Sequence, residues 1–182
     1  MSTDARYRIC FVCTGNICRS PMAEAVLRQM IADAGLSDRV EVDSAGTGAW
    51  HLGEPADHRT MHSLAEAGYT GFSHHARTFD ASWFADRDLV LALDRSHLRT
   101  LRAWAPDGPG RDKVRLLRSF DPDLAVPGTD SGPGSGLLDV PDPYFDGQAE
   151  FDEVLDMVER ACRGVLNQVR NALGETAEPA AG

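Results

Sequence analysis

The sequence predicts a single α/β domain, in which a four-stranded, parallel, doubly wound sheet carries helices on both faces. Short apolar and β-branched runs alternate along the chain with segments whose apolar residues recur at helical spacing. Strands separated by helices pair in parallel through right-handed crossovers. The length of 182 residues suits one domain with a substantial core. We expect this domain to span residues 1–174 and a flexible tail to follow at 175–182.

Four runs predict strands and four predict helices. The strands are expected at residues 7–12, 40–44, 89–93 and 114–117. The helices are expected at residues 19–34, 57–67, 96–104 and 151–173. The run 89–93 is apolar without a break, which is typical of a strand covered on both faces. Ligands of such sheets bind at the carboxyl ends of the strands, so Cys13, the segment 44–46 and Asp94 should share one rim.

One segment departs from this alternation. In residues 127–136, six of ten positions are Gly or Pro, a composition that suits neither helix nor strand. We expect a mobile surface loop there, as an insertion that the domain tolerates.

Composition and charge narrow the function classes. The formal net charge of −10 argues against nucleic-acid binding, because phosphate backbones need a basic face. No run approaches the roughly 20 apolar residues of a membrane-spanning helix. The polar start of the chain lacks the apolar stretch of a signal peptide. We therefore expect a cytoplasmic protein without nucleic-acid or membrane partners, while its oligomeric state stays open.

Cysteine spacing indicates reactive thiols rather than a disulfide framework or a metal. The cysteines are Cys10, Cys13, Cys18 and Cys162. A disulfide-stapled domain would be smaller and richer in cysteine, and a structural zinc site would need a second ligand pair. His58 and His62 share a helix face but have no third ligand in sequence. We expect reduced thiols, no metal, and core positions for Cys10 and Cys162.

The strand–loop–helix at residues 7–34 carries the chemistry. Cys13 opens its loop and Arg19 closes it, with five residues between them. A loop that leads into a helix N-terminus turns its N–H groups inward and forms an anion seat, which also favours the thiolate of Cys13. Arg19 supplies a planar fork that matches two phosphate oxygens. Ser20 can donate a hydrogen bond to the thiolate or to a departing oxygen.

The string 12–21, Val-Cys-Thr-Gly-Asn-Ile-Cys-Arg-Ser-Pro, closely resembles the signature loop of the low-molecular-weight protein tyrosine phosphatases. Further segments resemble family landmarks in family order, at 43–47, 50–53, 55–59, 73–77 and 142–144. The resemblance implies hydrolysis of phosphotyrosine in proteins, and of small aryl phosphates, through a phosphocysteine on Cys13. It implies no cofactor. The phosphate would be held by Arg19 and by the loop residues Thr14, Gly15, Asn16, Ile17, Cys18 and Ser20.

Two carboxylates compete for the role of general acid, Asp139 and Asp142. The resemblance implies Asp142, which begins the triplet Asp-Pro-Tyr. The prolines at 141 and 143 also restrict the backbone around Asp142, which would help to hold a proton donor in register.

The resemblance also implies supporting residues. Asn16 and Ser44 would brace the loop, and His74 would join them, although the adjacent His75 makes that alignment ambiguous. Cys18 would trap oxidised Cys13 as a disulfide, with a small buried side chain as its alternative role.

Aromatic side chains are expected to shape the cleft. Trp50 and Tyr144 would form its walls, which favours an aryl phosphate and makes a slot too deep for phosphoserine. Trp83 and Trp104 are expected in the core instead.

Other functions remain to be weighed. Thiol-dependent arsenate reductases share the loop but need further cysteines, and none occurs between Cys18 and Cys162. Protein arginine phosphatases of the same family carry Thr where this chain has Ile17. A sugar phosphotransferase carrier would need neither Arg19 nor Asp142. A non-catalytic phosphotyrosine-binding module would lack the nucleophile or the acid.

Overall fold

The computed structural model describes residues 6–124 and 135–175 and confirms the predicted fold class. The strands are β1 (Tyr7–Cys13), β2 (Val40–Gly46), β3 (Leu89–Ala92) and β4 (Val114–Leu116). They pair in parallel in the order β2–β1–β3–β4. The helices are α1 (Arg19–Asp33), α2 (His58–Glu66), α3 (Arg95–Trp104), α4 (Gly108–Asp112) and α5 (Gln148–Ala172).

The central strands bury both of their faces. Alternate residues of β1 enter two separate apolar clusters: Ile9 and Phe11 join one, whereas Cys10 and Val12 join the other. The first cluster contains the buried faces of α1 and α5, and the second contains that of α3. Helices therefore cover both faces of the sheet. At the carboxyl ends of the strands, β1 and β2 end side by side at Cys13 and Gly46.

Local capping explains where the helices differ from the predicted ones. α4 was not predicted because its sequence is Gly-Pro-Gly-Arg-Asp; the Asp107 side chain caps it by accepting from the Gly110 N–H at 2.6 Å. α5 begins at Gln148, three residues early, because the Glu150 carboxylate accepts from the Gly147 N–H at 2.9 Å. Short 3₁₀ helices lie at Ala81–Ala85, Leu117–Phe120 and Ser135–Leu138.

One core prediction is wrong. Trp104 is 38% exposed, because it falls beside the buried stripe of α3 formed by Leu98 and Leu101. Trp83 is partly buried and packs against the second cluster, with the Phe79 ring 5.3 Å away.

Two predicted mobile segments fall mainly outside the described residues. Of the loop 127–136, only the last two residues are described, at the start of a 3₁₀ helix. Of the tail 175–182, only Glu175 is described, and its carboxylate pairs with Arg39. No described helix combines the length and apolarity that crossing a membrane requires.

Candidate active site

The loop at residues 14–18 connects β1 to α1 at the carboxyl edge of the sheet. Cys13 is the last residue of β1 and Arg19 is the first of α1. Within 6–124 and 135–175, no acceptor receives a hydrogen bond from the main-chain N–H groups at 14–19. These donors lie at the positive end of the α1 dipole, an arrangement that binds anions.

A cavity of about 150 Å³ opens over this loop. Its walls are Cys13, Thr14, Gly15, Ile17, Cys18, Arg19, Trp50, His51, Asp142 and Tyr144. The structure therefore brings nine of the predicted site residues to one cavity and adds His51 to them. The remaining predicted residues, Asn16, Ser20, Ser44 and His74, lie behind the loop.

Asn16 fixes the course of the loop. Its φ of 57° is in the left-handed region, which Asn tolerates better than most residues. Its buried amide nitrogen donates to Ser20 Oγ at 2.8 Å and to Ser44 Oγ at 2.9 Å. Its amide oxygen accepts from the Arg77 N–H at 2.9 Å. Three segments of chain thus hold one loop residue.

His74, not His75, joins this network. His74 Nε2 donates to the Asn16 carbonyl at 2.6 Å, and its Nδ1 lies 3.6 Å from Glu24 Oε2, whereas His75 is exposed. Glu24 also accepts from Ser44 Oγ at 3.1 Å. Sequence reasoning missed Glu24; the available signal was an acidic residue between apolar positions of α1.

Cys13 lies at the floor of the cavity. Only 2% of the residue is exposed, yet it contributes to the cavity wall. Its Sγ lies 2.9 Å from Ser20 Oγ. The Ser20 hydroxyl accepts from Asn16 and has one proton, which reaches the Ala45 carbonyl at 3.3 Å or the closer sulfur. When Cys13 is ionised, the sulfur has no proton to donate and is the stronger acceptor of the two.

Arg19 is buried and held from two sides. Its Nη1 donates to Asp94 Oδ2 at 2.8 Å and to the Val140 carbonyl at 2.9 Å, while its Nη2 lies 3.5 Å from Asp142 Oδ2. Burial alone would lower the pKa of Arg19, but the negative groups at Cys13, Asp142 and Asp94 outweigh it, so that the pKa is raised. The guanidinium therefore stays charged in the cavity wall.

The start of α3 supplies Asp94 and His97. Asp94 caps the helix by accepting from the N–H groups of Ser96 and His97 at 2.8 and 3.2 Å. The pKa of Asp94 falls to about 2: burial raises it, but His97, Ser96 and Arg19 lower it more. His97, which sequence reasoning missed, is buried, with its Nε2 2.8 Å from Thr14 Oγ1.

Asp142 and Asp139 occupy different environments. The side chain of Asp142 is 53% exposed and lines the cavity beside Arg19. Asp139 points elsewhere, because its carboxylate accepts from the Arg95 N–H at 2.9 Å and from Arg95 Nε at 3.0 Å. Only Asp142 can therefore reach a group bound in the cavity.

Three rings line the mouth of the cavity. Trp50 is 75% exposed and Tyr144 is 38% exposed, so neither is a core residue. His51 lies 6.1 Å from Tyr144 between ring centroids, and its Nδ1 is 2.7 Å from Glu54 Oε2. A Cβ at Gly15 would lie only 2.9 Å from His51 Cδ2, so glycine admits this ring to the wall.

Cys18 is a buried thiol in the same cavity wall. Burial raises its pKa to about 12, and the negative groups at Asp57, Cys13 and Asp142 act in the same direction. The four cysteines are free, and Cys10 and Cys162 lie in the core, each with a pKa raised mainly by burial.

The chain is similar to known proteins along most of its length. Residues 8–175 match the family described as low molecular weight phosphotyrosine protein phosphatase. A low molecular weight protein-tyrosine-phosphatase from Streptomyces coelicolor is 59% identical, over 90% of this chain and 94% of its own. The low molecular weight phosphotyrosine protein phosphatase of Homo sapiens is 34% identical, over 92% of this chain and 99% of its own. A protein tyrosine phosphatase structure from Entamoeba histolytica superposes with a TM-score of 0.81 at 30% identity, covering 92% and 99% of the two chains.

Together with the cavity over the loop, these similarities define a hydrolase of the protein tyrosine phosphatase class. The chain belongs to the low molecular weight phosphotyrosine protein phosphatase family. This confirms the family expected from residues 12–21.

Proposed function

We propose that this protein hydrolyses phosphotyrosine in proteins, and small aryl phosphates, through a phosphocysteine on Cys13, with Asp142 as general acid and then base. One observation carries the proposal. The cavity has Cys13 at its floor and, in its wall, the Arg19 guanidinium 3.5 Å from the Asp142 carboxylate. A nucleophile, a fixed cation and an accessible acid thus surround one space, as phosphoryl transfer requires.

In the first step, the Cys13 thiolate attacks phosphorus in line with the ester oxygen. The S–P bond forms, the P–O bond breaks, and Asp142 gives its proton to the departing phenolate. Arg19 and the N–H groups at 14–19 stabilise the equatorial oxygens, where negative charge gathers. The Ser20 hydroxyl, 2.9 Å from the sulfur, donates to the thiolate before attack and after release.

In the second step, a water molecule attacks the phosphorus of the phosphocysteine. The ionised Asp142 takes a proton from that water, the P–S bond breaks, and Cys13 returns as a thiolate with release of inorganic phosphate. The 53% exposure of the Asp142 side chain gives water access to it. No group other than water is consumed.

The cavity walls favour aryl substrates. Trp50 and Tyr144 stand at the mouth and Ile17 lies deeper, so a phenyl ring would contact apolar and aromatic surface on several sides. A phosphoserine side chain is shorter and has no ring, so it would leave this apolar surface exposed to water and would not reach from the mouth of the cavity to its floor. The partners that follow are proteins carrying exposed phosphotyrosine.

The function is tested by hydrolysis of 4-nitrophenyl phosphate and of a phosphotyrosine peptide. We expect turnover of both in the native protein and none in Cys13→Ser. The matched control is Cys162→Ala, which removes a buried thiol of α5 and should leave turnover unchanged. A Cys13→Ser protein with native turnover would falsify the mechanism. Phosphoarginine and phosphoserine peptides, tested alongside, should be poor substrates.

We further propose that Cys18 protects Cys13 from irreversible oxidation. Peroxide converts the Cys13 thiolate to a sulfenic acid; the Cys18 sulfur attacks it, a disulfide forms, and water leaves. A thiol reductant then restores both cysteines. Because burial raises the Cys18 pKa to about 12, the thiolate of Cys18 is scarce at neutral pH and disulfide formation should accelerate as pH rises.

The redox role is tested by peroxide inactivation followed by rescue with dithiothreitol. Native protein should recover most of its activity, and Cys18→Ser should recover much less. Equal recovery in the two proteins would exclude the trap.

A further inference from the structure

The start of α3 holds the phosphate-binding loop at both of its ends. At one end, Asp94 Oδ2 accepts from Arg19 Nη1 at 2.8 Å. At the other end, His97 Nε2 lies 2.8 Å from the hydroxyl of Thr14, the residue that follows Cys13. Asp94 and His97 also contact each other, because the main-chain N–H of His97 donates to Asp94 Oδ1 at 3.2 Å. One capping box therefore contacts Thr14, the first residue of the loop, and Arg19, the helix residue that directly follows the loop.

The hydrogen bonds of His97 assign its proton. The Asp94 main-chain N–H donates to His97 Nδ1 at 3.3 Å, and Asp94 Oδ1 lies 3.2 Å from the same nitrogen. We assign the neutral ring the tautomer in which Nδ1 accepts from this N–H and carries no hydrogen. The proton is then on Nε2, which donates to Thr14 Oγ1. Burial lowers the pKa of His97 to about 4, against the opposing effect of Asp94, so the ring is neutral at neutral pH. A neutral imidazole keeps this single donor without placing a second positive charge beside Arg19.

Thr14 is otherwise exposed, which makes this contact informative. Its carbonyl accepts from the Gly48 N–H at 3.0 Å, and its hydroxyl is held by an imidazole that is only 2% exposed. Its N–H is the first donor of the anion seat after Cys13. The peptide that carries this N–H is held at its other end by the Thr47 N–H, which donates to the Cys13 carbonyl at 2.9 Å. The imidazole adds the contact that fixes the side chain of Thr14. A preorganised donor stabilises the transition state more than one that must be ordered during the reaction.

We propose that His97 is a positioning residue of the phosphatase, which acts through the Thr14 hydroxyl to fix the first main-chain donor of the loop. This proposal rests on the proposed function, because it takes residues 14–19 to be the phosphoryl seat. His97 does not touch the substrate. It acts on the position of the loop donors around five-coordinate phosphorus in the transition state. Loss of His97 should therefore lower kcat and leave KM nearly unchanged.

Two substitutions of His97 separate its two hydrogen bonds. His97→Gln places an amide N–H near the position of Nε2 and can still reach Thr14. His97→Asn places its amide near Nδ1, where it can accept from Asp94 but cannot reach Thr14. Thr14→Val removes the hydroxyl from an exposed residue while keeping its shape, so it should fold even if a His97 variant does not.

With 4-nitrophenyl phosphate, Thr14→Val and His97→Asn should each lower kcat by about three- to tenfold, the range of one hydrogen bond. KM and inhibition by inorganic phosphate should change by less than about twofold, while inhibition by vanadate should weaken in step with kcat. His97→Gln should stay within about twofold of the native kcat. The double variant Thr14→Val/His97→Asn should be no slower than the slower single variant.

Matched controls are Thr100→Val, at a half-buried threonine of α3, and His62→Gln, at an exposed histidine of α2; both should keep the native kcat. Native kcat in Thr14→Val would overturn the proposal, as would equal losses in His97→Gln and His97→Asn, or multiplicative losses in the double variant. A native protein that does not hydrolyse the substrate would instead overturn the proposed function.

Discussion

At the scale of single residues, Asp142 and Asp139 differ by what surrounds them rather than by their chemistry. Asp139 accepts two hydrogen bonds from Arg95, whereas Asp142 is half exposed and faces the cavity. Asp142→Ala should slow the first step by about 10²- to 10⁴-fold for phosphotyrosine, because the leaving phenolate is no longer protonated. The loss should be smallest for activated leaving groups. A series of aryl phosphates with phenols of different acidity measures this dependence.

Asp139→Asn is the matched control for that series. It removes the charge that pairs with Arg95 but should keep the native leaving-group dependence. If the steep dependence appeared in the Asp139 variant instead, the assignment of the acid would be wrong.

Asn16 combines a backbone requirement with three hydrogen bonds, and two variants separate these. Asn16→Gly tolerates the φ of 57° but loses the bonds to Ser20, Ser44 and Arg77; Asn16→Ala loses them and is also strained. We expect Asn16→Gly to lower the free energy of unfolding by about 2 to 4 kcal/mol. Asn16→Ala should lower it by about 1 kcal/mol more. Urea unfolding measures both; native stability in Asn16→Gly would show that the bonds contribute nothing.

At the scale of elements, the loop depends on where β2 ends. Gly46 pairs with Cys13, and a Cβ on it would lie 2.5 Å from the Thr14 carbonyl oxygen. Gly46→Ala must therefore displace either the loop or the strand, at a cost of about 1 to 3 kcal/mol in stability. We expect kcat to fall by about tenfold or more as the donors move. Gly53→Ala, where the glycine has open space but a positive φ, is the contrasting variant: it should lose stability but keep kcat.

The elements that sequence predicts are those whose signals are local. The apolar periodicity of α1 and the unbroken run of β3 follow directly from residue spacing, and both elements lie where expected. α4 could not be predicted, because a segment containing two glycines and a proline becomes helical only through its Asp107 cap. The role of His97 was hidden for a similar reason: at the third position of a helix it resembles a surface residue until Thr14 is placed beside it.

At the scale of the whole molecule, the predictable part of the site is the part contained in one segment. The string 12–21 reveals the nucleophile, the loop and Arg19 together. The partners of that segment come from distant parts of the chain: the Val140 carbonyl accepts from Arg19, and the Asp57 N–H donates to the Ile17 carbonyl at 2.8 Å. Such contacts depend on how layers pack on the sheet, which no local pattern encodes.

Burial of the Asp94–His97 box makes the stability of the whole domain depend on pH. The groups that act on His97 are Asp94, Arg19, Asp142 and Asp139. The pKa of His97 is about 4 in the folded protein against 6.5 for a free imidazole. Between these two pH values the imidazole is protonated in the unfolded chain but neutral in the folded one. Stability should therefore fall by about 3 kcal/mol as pH drops from 6.5 to 4. Asp94 has a pKa of about 2 in the folded protein against 3.8 for a free carboxyl group, so the domain should lose further stability as pH falls from 3.8 to 2.

The two parts of this pH dependence can be separated by urea unfolding of native protein and His97→Gln at pH 7 and pH 4.5. Glutamine does not titrate, so the variant should lose less stability than the native protein over this interval, and the difference between the two losses isolates the imidazole. His62→Gln, which removes an exposed imidazole, should keep the native loss. If His97→Gln lost as much stability as the native protein, the folded imidazole would bind its proton by pH 4.5 just as the unfolded one does. The hydrogen bond from the Asp94 main-chain N–H to Nδ1 would then be lost at pH 4.5, because a protonated ring has no acceptor.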